Sequence, residues 1–295
     1  MKPSAFDYHA PTSVEEAVSL LAELGDEAKA IAGGQSLVPM LALRLTAFPH
    51  LVDLRKVAGI RGFEQREGGM WVGAATTQSA VERSAEIAER VPLLARATPL
   101  IGHFQIRNRG TVGGSLAHAD AAAEYPAVAL ALDAELETAS PRGTRTLPAA
   151  GFFTGMWTTG LAEDELLTGV RFPVAGPRCG YAVEEFARRR GDFAIAGAAV
   201  AIELDPQGRV ARCGIGLFGL GPAAQRATAA ERAVAGTAVA GGGSDAAAAE
   251  VGRIGVAELD SVPSDLHGTA EYRKRVGAAM VARAWQKAVR EASGD

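Results

Sequence analysis

Ala30-Ile-Ala-Gly-Gly-Gln-Ser-Leu37 is the stretch that decides the fold, read together with its counterpart Ile106-Arg-Asn-Arg-Gly-Thr-Val-Gly-Gly-Ser115. Each sets a double glycine beside hydroxyl and amide side chains. Glycine has no Cβ, so its backbone turns at positive φ and its N–H groups come close to a ligand. Successive inward-pointing N–H groups form a nest for a phosphate or pyrophosphate. Two such loops in one chain point to a large ligand with a phosphorylated middle, gripped from two sides.

Outward from the first loop, Lys29–Ala32 is a short apolar run that reads as a strand entering it, Pro39–Leu45 as a helix leaving it, and Leu51–Asp53 as a second strand. Upstream, Ser13-Val-Glu-Glu16 is a capping box, with Thr12 as a competitor for the cap. Val14, Ala17, Val18, Leu21 and Leu24 then repeat at helical spacing, and Gly25 supplies the stop. Before the second loop, Met70–Thr77 reads as a strand containing Trp71. Gln78–Ala97 reads as helical, with Pro92 marking a break. Beyond it, Pro126–Ala131 is expected to be a helix, Ala134–Ala139 a strand, Gly151–Gly155 a loop and Glu165–Phe172 a strand.

Pro173-Val-Ala-Gly-Pro177 marks a boundary. After it Tyr181–Arg188, Ala194–Leu204 and Val210–Phe218 read as three strands, the last two joined by a turn at Asp205-Pro-Gln-Gly208. Two helices complete this part. Val239–Ala249 is rich in Gly and Ala, and its Gly241-Gly-Gly-Ser244 core reads as a flexible loop. Ser264–Ala292 closes the chain as a long helix through Tyr272, Val276, Met280, Ala284 and Val289. There is no internal repeat. Helices and strands mix without regular alternation, so the expected class is α+β rather than a doubly wound sheet.

The 295 residues suffice for a full core and for two domains, and 48% hydrophobic with 22% charged residues is ordinary for a soluble globular protein. A net charge of −4 gives no basic footprint for nucleic acid or an anionic membrane. Arg188-Arg189-Arg190 reads as a solvated turn. The amino terminus lacks an apolar signal segment and no stretch reaches a membrane-spanning length, so a cytoplasmic location is expected. Cys179 and Cys213 read as free thiols of a reducing compartment, and two cysteines are too few for an iron–sulfur cluster, which takes four ligands. The five histidines are scattered, and no metal site is expected. No Gly-Lys dipeptide occurs, which excludes a P-loop. Gly214-Ile-Gly-Leu-Phe-Gly219 fits the letters of a dinucleotide fingerprint. It lies deep in the second half with Gly221-Pro222 behind it, and reads as a glycine-rich strand and turn.

The two loops, with Leu43-Arg44-Leu45 behind the first, are part of four ordered marks. The second mark runs from Ile101-Gly-His-Phe-Gln105 through the second loop to Leu116-Ala-His-Ala-Asp120. The third is Ala187-Arg-Arg-Arg-Gly-Asp-Phe-Ala194, and the fourth His267-Gly-Thr-Ala-Glu-Tyr-Arg273. In these the chain resembles, over nearly its whole length, the FAD-binding medium subunits of the molybdenum hydroxylases, the group of carbon monoxide dehydrogenase and xanthine dehydrogenase. The resemblance implies an α+β chain with a two-part FAD domain of the vanillyl-alcohol oxidase and MurB type (PCMH-type) over residues 1–175, with subdomains of about 1–55 and 56–175. A smaller domain of the carbon monoxide dehydrogenase flavoprotein C-terminal type follows over 176–292.

The resemblance also implies roles by position. Ile31, Ala32, Gly33, Gly34, Gln35, Ser36 and Leu37 would hold the FAD pyrophosphate from one side. Thr111, Val112, Gly113, Gly114 and Ser115 would hold it and the ribityl chain from the other. Glu124 falls where the family carries an acid that hydrogen-bonds the cofactor, and it also fits as the cap of a helix near Pro126. Ile101 and Leu161 fall where apolar residues line the flavin, and each also fits as ordinary core. Asp120 is a further candidate. Glu184 or Glu185 falls where some relatives carry a lysine beside the flavin, and Glu184 is taken as the site residue. Arg107 and Arg109 are read as fixing the second loop rather than touching the ligand. The implied function is an FAD-carrying electron-transfer subunit, an oxidoreductase component without a catalytic triad. Its implied partners are an iron–sulfur small subunit and a molybdopterin large subunit in a dimer of heterotrimers. The alternative is a self-sufficient flavin oxidoreductase of the same fold.

Overall fold

A computed structural model describes residues 2–239 and 244–294. The chain begins with β1 (Asp7–His9), α1 (Val14–Leu24), β2 (Ala28–Ile31), α2 (Leu37–Ala42) and β3 (His50–Asp53). The three strands form a parallel sheet with β3 central, His50 standing opposite both Asp7 and Ala28. Ser13 caps α1, accepting the Glu16 N–H at 3.1 Å, and Gly25 ends it at φ 56°. The Glu16 carboxylate turns back one residue further than a capping box requires, to the Thr12 N–H at 2.7 Å. Ala17, Val18 and Leu21 bury one face of α1 against this sheet and against Ala139 and Leu166.

The middle of the chain supplies β4 (Phe63–Arg66), β5 (Gly69–Gly73), α3 (Gln78–Arg83), α4 (Ala85–Arg90), α5 (Pro92–Ala97), α6 (Phe104–Arg107), α7 (Val112–His118) and α8 (Glu124–Ala131). Then come β6 (Glu135–Ser140), β7 (Gly143–Pro148), β8 (Phe153–Gly155), β9 (Thr158–Thr159) and β10 (Leu166–Phe172). An antiparallel sheet runs β4-β5-β10-β6-β7, and β8 and β9 make a separate hairpin. The expected helix over Gln78–Ala97 is three short helices. Ser84 breaks it as well as Pro92, ending α3 and capping α4 through its hydroxyl. The expected strand to Thr77 stops at Gly73, because Ala74 and Thr76 turn their carbonyls to the N–H groups of Gly113 and Val112. Edge strands β4 and β7 carried no apolar alternation and were not anticipated. β7 (Gly-Thr-Arg-Thr-Leu-Pro) is exposed along nearly its whole length.

The last part contains β11 (Cys179–Phe186), β12 (Ala196–Leu204), β13 (Val210–Phe218), β14 (Gln225–Arg226), α9 (Thr228–Val234), α10 (Asp245–Ala257) and α11 (Ala270–Ser293). Its antiparallel sheet runs β11-β12-β13-β14, with α11 packed along β11 and β12. Thr269 caps α11 through the Tyr272 N–H. Gly241, Gly242 and Gly243 of the expected flexible loop lie outside the described residues, and Ser244 caps α10. Cys179 and Cys213 are free thiols. No helix among the described residues is long and apolar enough to cross a membrane.

All eight residues of α8 are buried. A helix apolar all round must lie inside, and α8 lies between the middle helices and the C-terminal sheet. A Cβ on Gly214 or Gly216 would fall on the carbonyls of Ala131 and Ala127, so β13 rests on the backbone of α8. The Gly-x-Gly-x-x-Gly letters therefore serve strand-on-helix packing, as the strand-and-turn reading expected.

Candidate functional site

β2 delivers the chain into the first glycine stretch, which is a loop. The backbone N–H groups of Gly33, Gly34, Gln35 and Ser36 find no acceptor among the described residues. Gly34 has φ 73°, where a side chain is strained. A Cβ on Gly33 would fall inside the carbonyl of Arg109, so the two glycine stretches touch backbone to backbone. The Gln35 amide folds back onto the Gly33 carbonyl at 3.1 Å, and Ser36 precedes α2 without capping it through its side chain.

The second stretch is not a loop. Gly113 and Gly114 lie in the first turn of α7, and its N–H groups are already used. Val112 donates to the Thr76 carbonyl (3.0 Å), Gly113 to Ala74 (2.8 Å), Gly114 to the Thr111 hydroxyl (3.0 Å) and Ser115 to the Thr111 carbonyl (3.1 Å). Periodicity missed the helix because two glycines and a β-branched residue open it. What this side offers a ligand is a surface without a side chain at Gly114, beside Ala32, together with the Ser115 hydroxyl. Between the stretches lies a pocket of about 170 Å³ lined by Ala32, Gly33, Arg55, Arg61, Arg109 and Thr111 among others. Arg107 is buried, paired with Glu82 (2.9 and 3.0 Å) and donating to the Ile101 carbonyl (3.0 Å), which is a structural role. Arg109 lines the pocket, and its backbone carbonyl lies against Gly33.

Asp120 follows α7. One of its oxygens accepts the Ala122 N–H (2.9 Å) and the other the Trp157 indole N–H (3.4 Å), and the Trp157 ring stacks on His118. Trp157 sits at the tip of the β8–β9 hairpin at φ 54°. Ile101 and Leu161 are half-buried and pack against the central core. Glu124 is the first residue of α8, 9% exposed. Its carboxyl accepts its own backbone N–H. Burial, then Glu185, then Asp120 push it up to about 8.

Glu184 does not join these groups. Along β11, Tyr181 and Val183 pack on the central core and Ala182 on the C-terminal one. The two-residue period of a strand therefore turns Glu184 the other way, where it pairs with Lys287 of α11. Glu185 lies on the central-core face of β11, close enough for its charge to act on Glu124. Its Oε2 is buried without a partner, and burial raises the carboxyl to about 7. The alternation around Ala182 was the signal available in the sequence. The third and fourth sequence marks also meet, around a cavity of about 530 Å³ lined by Phe186, Arg188, Asp265, His267, Thr269 and Tyr272 among others.

These groups can hold an anion on free N–H groups, seat a flat ring against apolar side chains, and accept hydrogen bonds at unpaired carboxyls. No nucleophile stands beside a base among them. Residues 4–175 match the model of the FAD binding domain in molybdopterin dehydrogenase, and residues 181–288 that of the CO dehydrogenase flavoprotein C-terminal domain. The chain is 42% identical to a 6-hydroxypseudooxynicotine dehydrogenase complex subunit alpha of Paenarthrobacter nicotinovorans, covering 99% of this chain and 97% of that one. It is 38% identical to the carbon monoxide dehydrogenase medium chain of Hydrogenophaga pseudoflava, covering 96% and 97%. A solved structure of carbon monoxide dehydrogenase from the same organism superposes with a TM-score of 0.93 at 39% identity, over 98% of each chain.

Proposed function

The chain belongs to the family of FAD-binding subunits of molybdopterin dehydrogenases, and from that premise we propose how its residues hold the cofactor and what complex they serve. It is an FAD-carrying oxidoreductase subunit that transfers electrons within a multi-subunit molybdenum hydroxylase. When bound, FAD supplies the exchange between one-electron carriers and a two-electron acceptor. The residues present fit the cofactor. The observation that carries the assignment is the run of four unpaired N–H groups at Gly33–Ser36, which matches the acceptor oxygens of a pyrophosphate.

In this reading Ile31, Ala32, Gly33, Gly34, Gln35, Ser36 and Leu37 bind the pyrophosphate through the backbone. Thr111, Val112, Gly113, Gly114 and Ser115 form the opposite wall, contributing close approach and one hydroxyl. Arg109 adds positive charge to the pocket between them. Ile101 and Leu161 exclude water from the ring. Asp120 and Glu124 accept hydrogen bonds, and Glu185 takes the place given to Glu184. Residues 1–175, with parts of about 1–55 and 56–175, form the FAD domain and 176–292 the second domain. The electron source is an iron–sulfur small subunit fed by a molybdopterin large subunit, the whole a cytoplasmic dimer of heterotrimers.

The test is the visible spectrum of the purified chain and the identity of what it releases on denaturation. A flavin spectrum yielding FAD is expected, with no turnover of substrate by the chain alone. A folded, colourless chain that takes up no added FAD overturns the assignment. Recovery of this chain by itself from cells expressing the cognate subunits overturns the heterotrimer.

A further inference from the structure

Glu124 and Glu185 come from two elements far apart in sequence. Glu185 stands opposite Gly197 in the β11–β12 register, and Gly197 in turn pairs with Phe218 of β13. The next residue, Gly219, donates its N–H to the Ala121 carbonyl at 2.7 Å, three residues before Glu124. The strands thus bring Glu185 to the start of α8. Two features show that the pair is made for a ligand. Glu124 is about nine-tenths buried and its carboxyl is bonded only to its own backbone N–H, and the Glu185 Oε2 is buried with no partner.

No cation among the described residues pairs with them. The third acid, Asp120, is held by the Ala122 N–H and the Trp157 indole. On the helix side Arg107 is paired with Glu82, and the Tyr125 hydroxyl is bonded to Thr98 at 2.9 Å. On the sheet side the neighbours are Gly197 and Phe218. Lys287 is taken by Glu184 on the far face of β11. Arg273 gives Nη1 to the carbonyls of Ile195 and Gly219 and Nη2 to Asp265, and its buried Nε bonds to neither acid. Two neighbouring carboxyls in an apolar setting do not both ionise, because burial and like charge each disfavour the second anion.

We infer that Glu124 and Glu185 together hold one exchangeable proton at the ring end of the cofactor site, and that this pair is the local proton store for flavin reduction. The inference rests on the FAD reading above. One-electron carriers deliver electrons without protons, whereas two-electron reduction of a flavin to its neutral form consumes two protons. The pair supplies one by breaking a carboxyl O–H and leaving a carboxylate, water supplies the other, and the carboxylate is refilled from water. No electron passes through either residue. The raised affinities of both acids, at about 8 and about 7, agree with a proton retained near neutrality.

The experiment is an infrared pH titration of the protonated-carboxyl C=O stretch in the full chain without cofactor, repeated with FAD bound and then reduced. A band titrating near neutral pH is expected. Glu185→Gln should lower the proton affinity of Glu124 about tenfold, one pH unit, whereas Glu124→Gln, a neutral stand-in for protonated Glu124, should remove the upper titration and leave that of Glu185 in place. Both amides are isosteric with a protonated acid, so folding is preserved. Glu250→Gln, which removes a surface partner of Arg253, should leave the band unchanged. No neutral-range band, or one indifferent to both site variants, overturns the shared proton. A band that reduction of bound FAD leaves unshifted overturns the store role. A chain that shows the apo band but takes up no FAD overturns the FAD reading instead.

Discussion

Gly33-Gly34 and Gly113-Gly114 are spelled alike and do opposite things. The first pair leaves four consecutive N–H groups with no acceptor among the described residues, while the second lies in a helix whose first-turn N–H groups are all bound to Ala74, Thr76 and Thr111. The first leaves its hydrogen bonds open among the described residues. The second is complete already: α7 lies against Ala74 at Gly113, and a Cβ on Gly114 would crowd the Thr111 hydroxyl that caps the helix. Two glycines show that backbone is approached closely. They do not show whether a ligand or another part of the protein does the approaching.

Substitution separates the two. Gly33→Ala places a methyl on the Arg109 carbonyl and pushes the loop off its neighbour. FAD affinity should fall by about 100-fold, roughly 2.7 kcal/mol, in an equilibrium titration of the chain, with a smaller loss of stability. Equal losses of apo stability and affinity would erase the contrast. Gly113→Ala meets the Ala74 side chain and backbone. It should cost about 1–3 kcal/mol of stability by overpacking, the same with or without FAD in denaturant titrations. Thr111→Ala removes the hydroxyl that accepts the Gly114 N–H and should cost about 1 kcal/mol. Ser36→Ala, whose hydroxyl caps nothing, should leave apo stability unchanged.

The smallest effect at any one pH comes from the acids. Arg145 holds Glu165 down to about 2, so its contribution is present above the ordinary carboxylate range and is lost as pH falls toward 2. Glu124 and Glu185 are raised to about 8 and about 7. Their neutral forms contribute at low pH, and that contribution is lost as pH rises from the ordinary carboxylate range through those values. Stability of the cofactor-free chain should therefore decline on both sides. Glu185→Gln should flatten the alkaline limb and leave the acid limb intact, which denaturation at a series of pH values would reveal.

Much of the fold was legible because its signals are local. Ser13 and Gly25 bracket α1 where the capping and stop residues said they would, and β13 runs from Val210 to Phe218 as its apolar run required. The α+β class followed from the order of such segments. The misses have a common cause. β4 and β7 are edge strands whose polar side chains carry no buried stripe, and Ser84 breaks a helix that periodicity alone would continue. At the site, the first glycine stretch is a loop, as the letters implied, and Glu124 opens α8, as the helix-cap reading had it. Glu185 rather than Glu184 lies on the central-core face because β11 is sandwiched between two cores, and its two-residue alternation takes its phase from which core Ala182 enters.

The sequence by itself determined the family, the α+β class and much of the order of elements, because glycines, caps and apolar periods act over a few residues of backbone. Only the tertiary structure decided which N–H groups remain free, which of two adjacent glutamates turns inward, and that two acids separated by some sixty residues share one unneutralised, buried place. Those outcomes depend on what lies opposite each group, and hydrogen bonding and desolvation are set by that neighbour rather than by the residue's own chain.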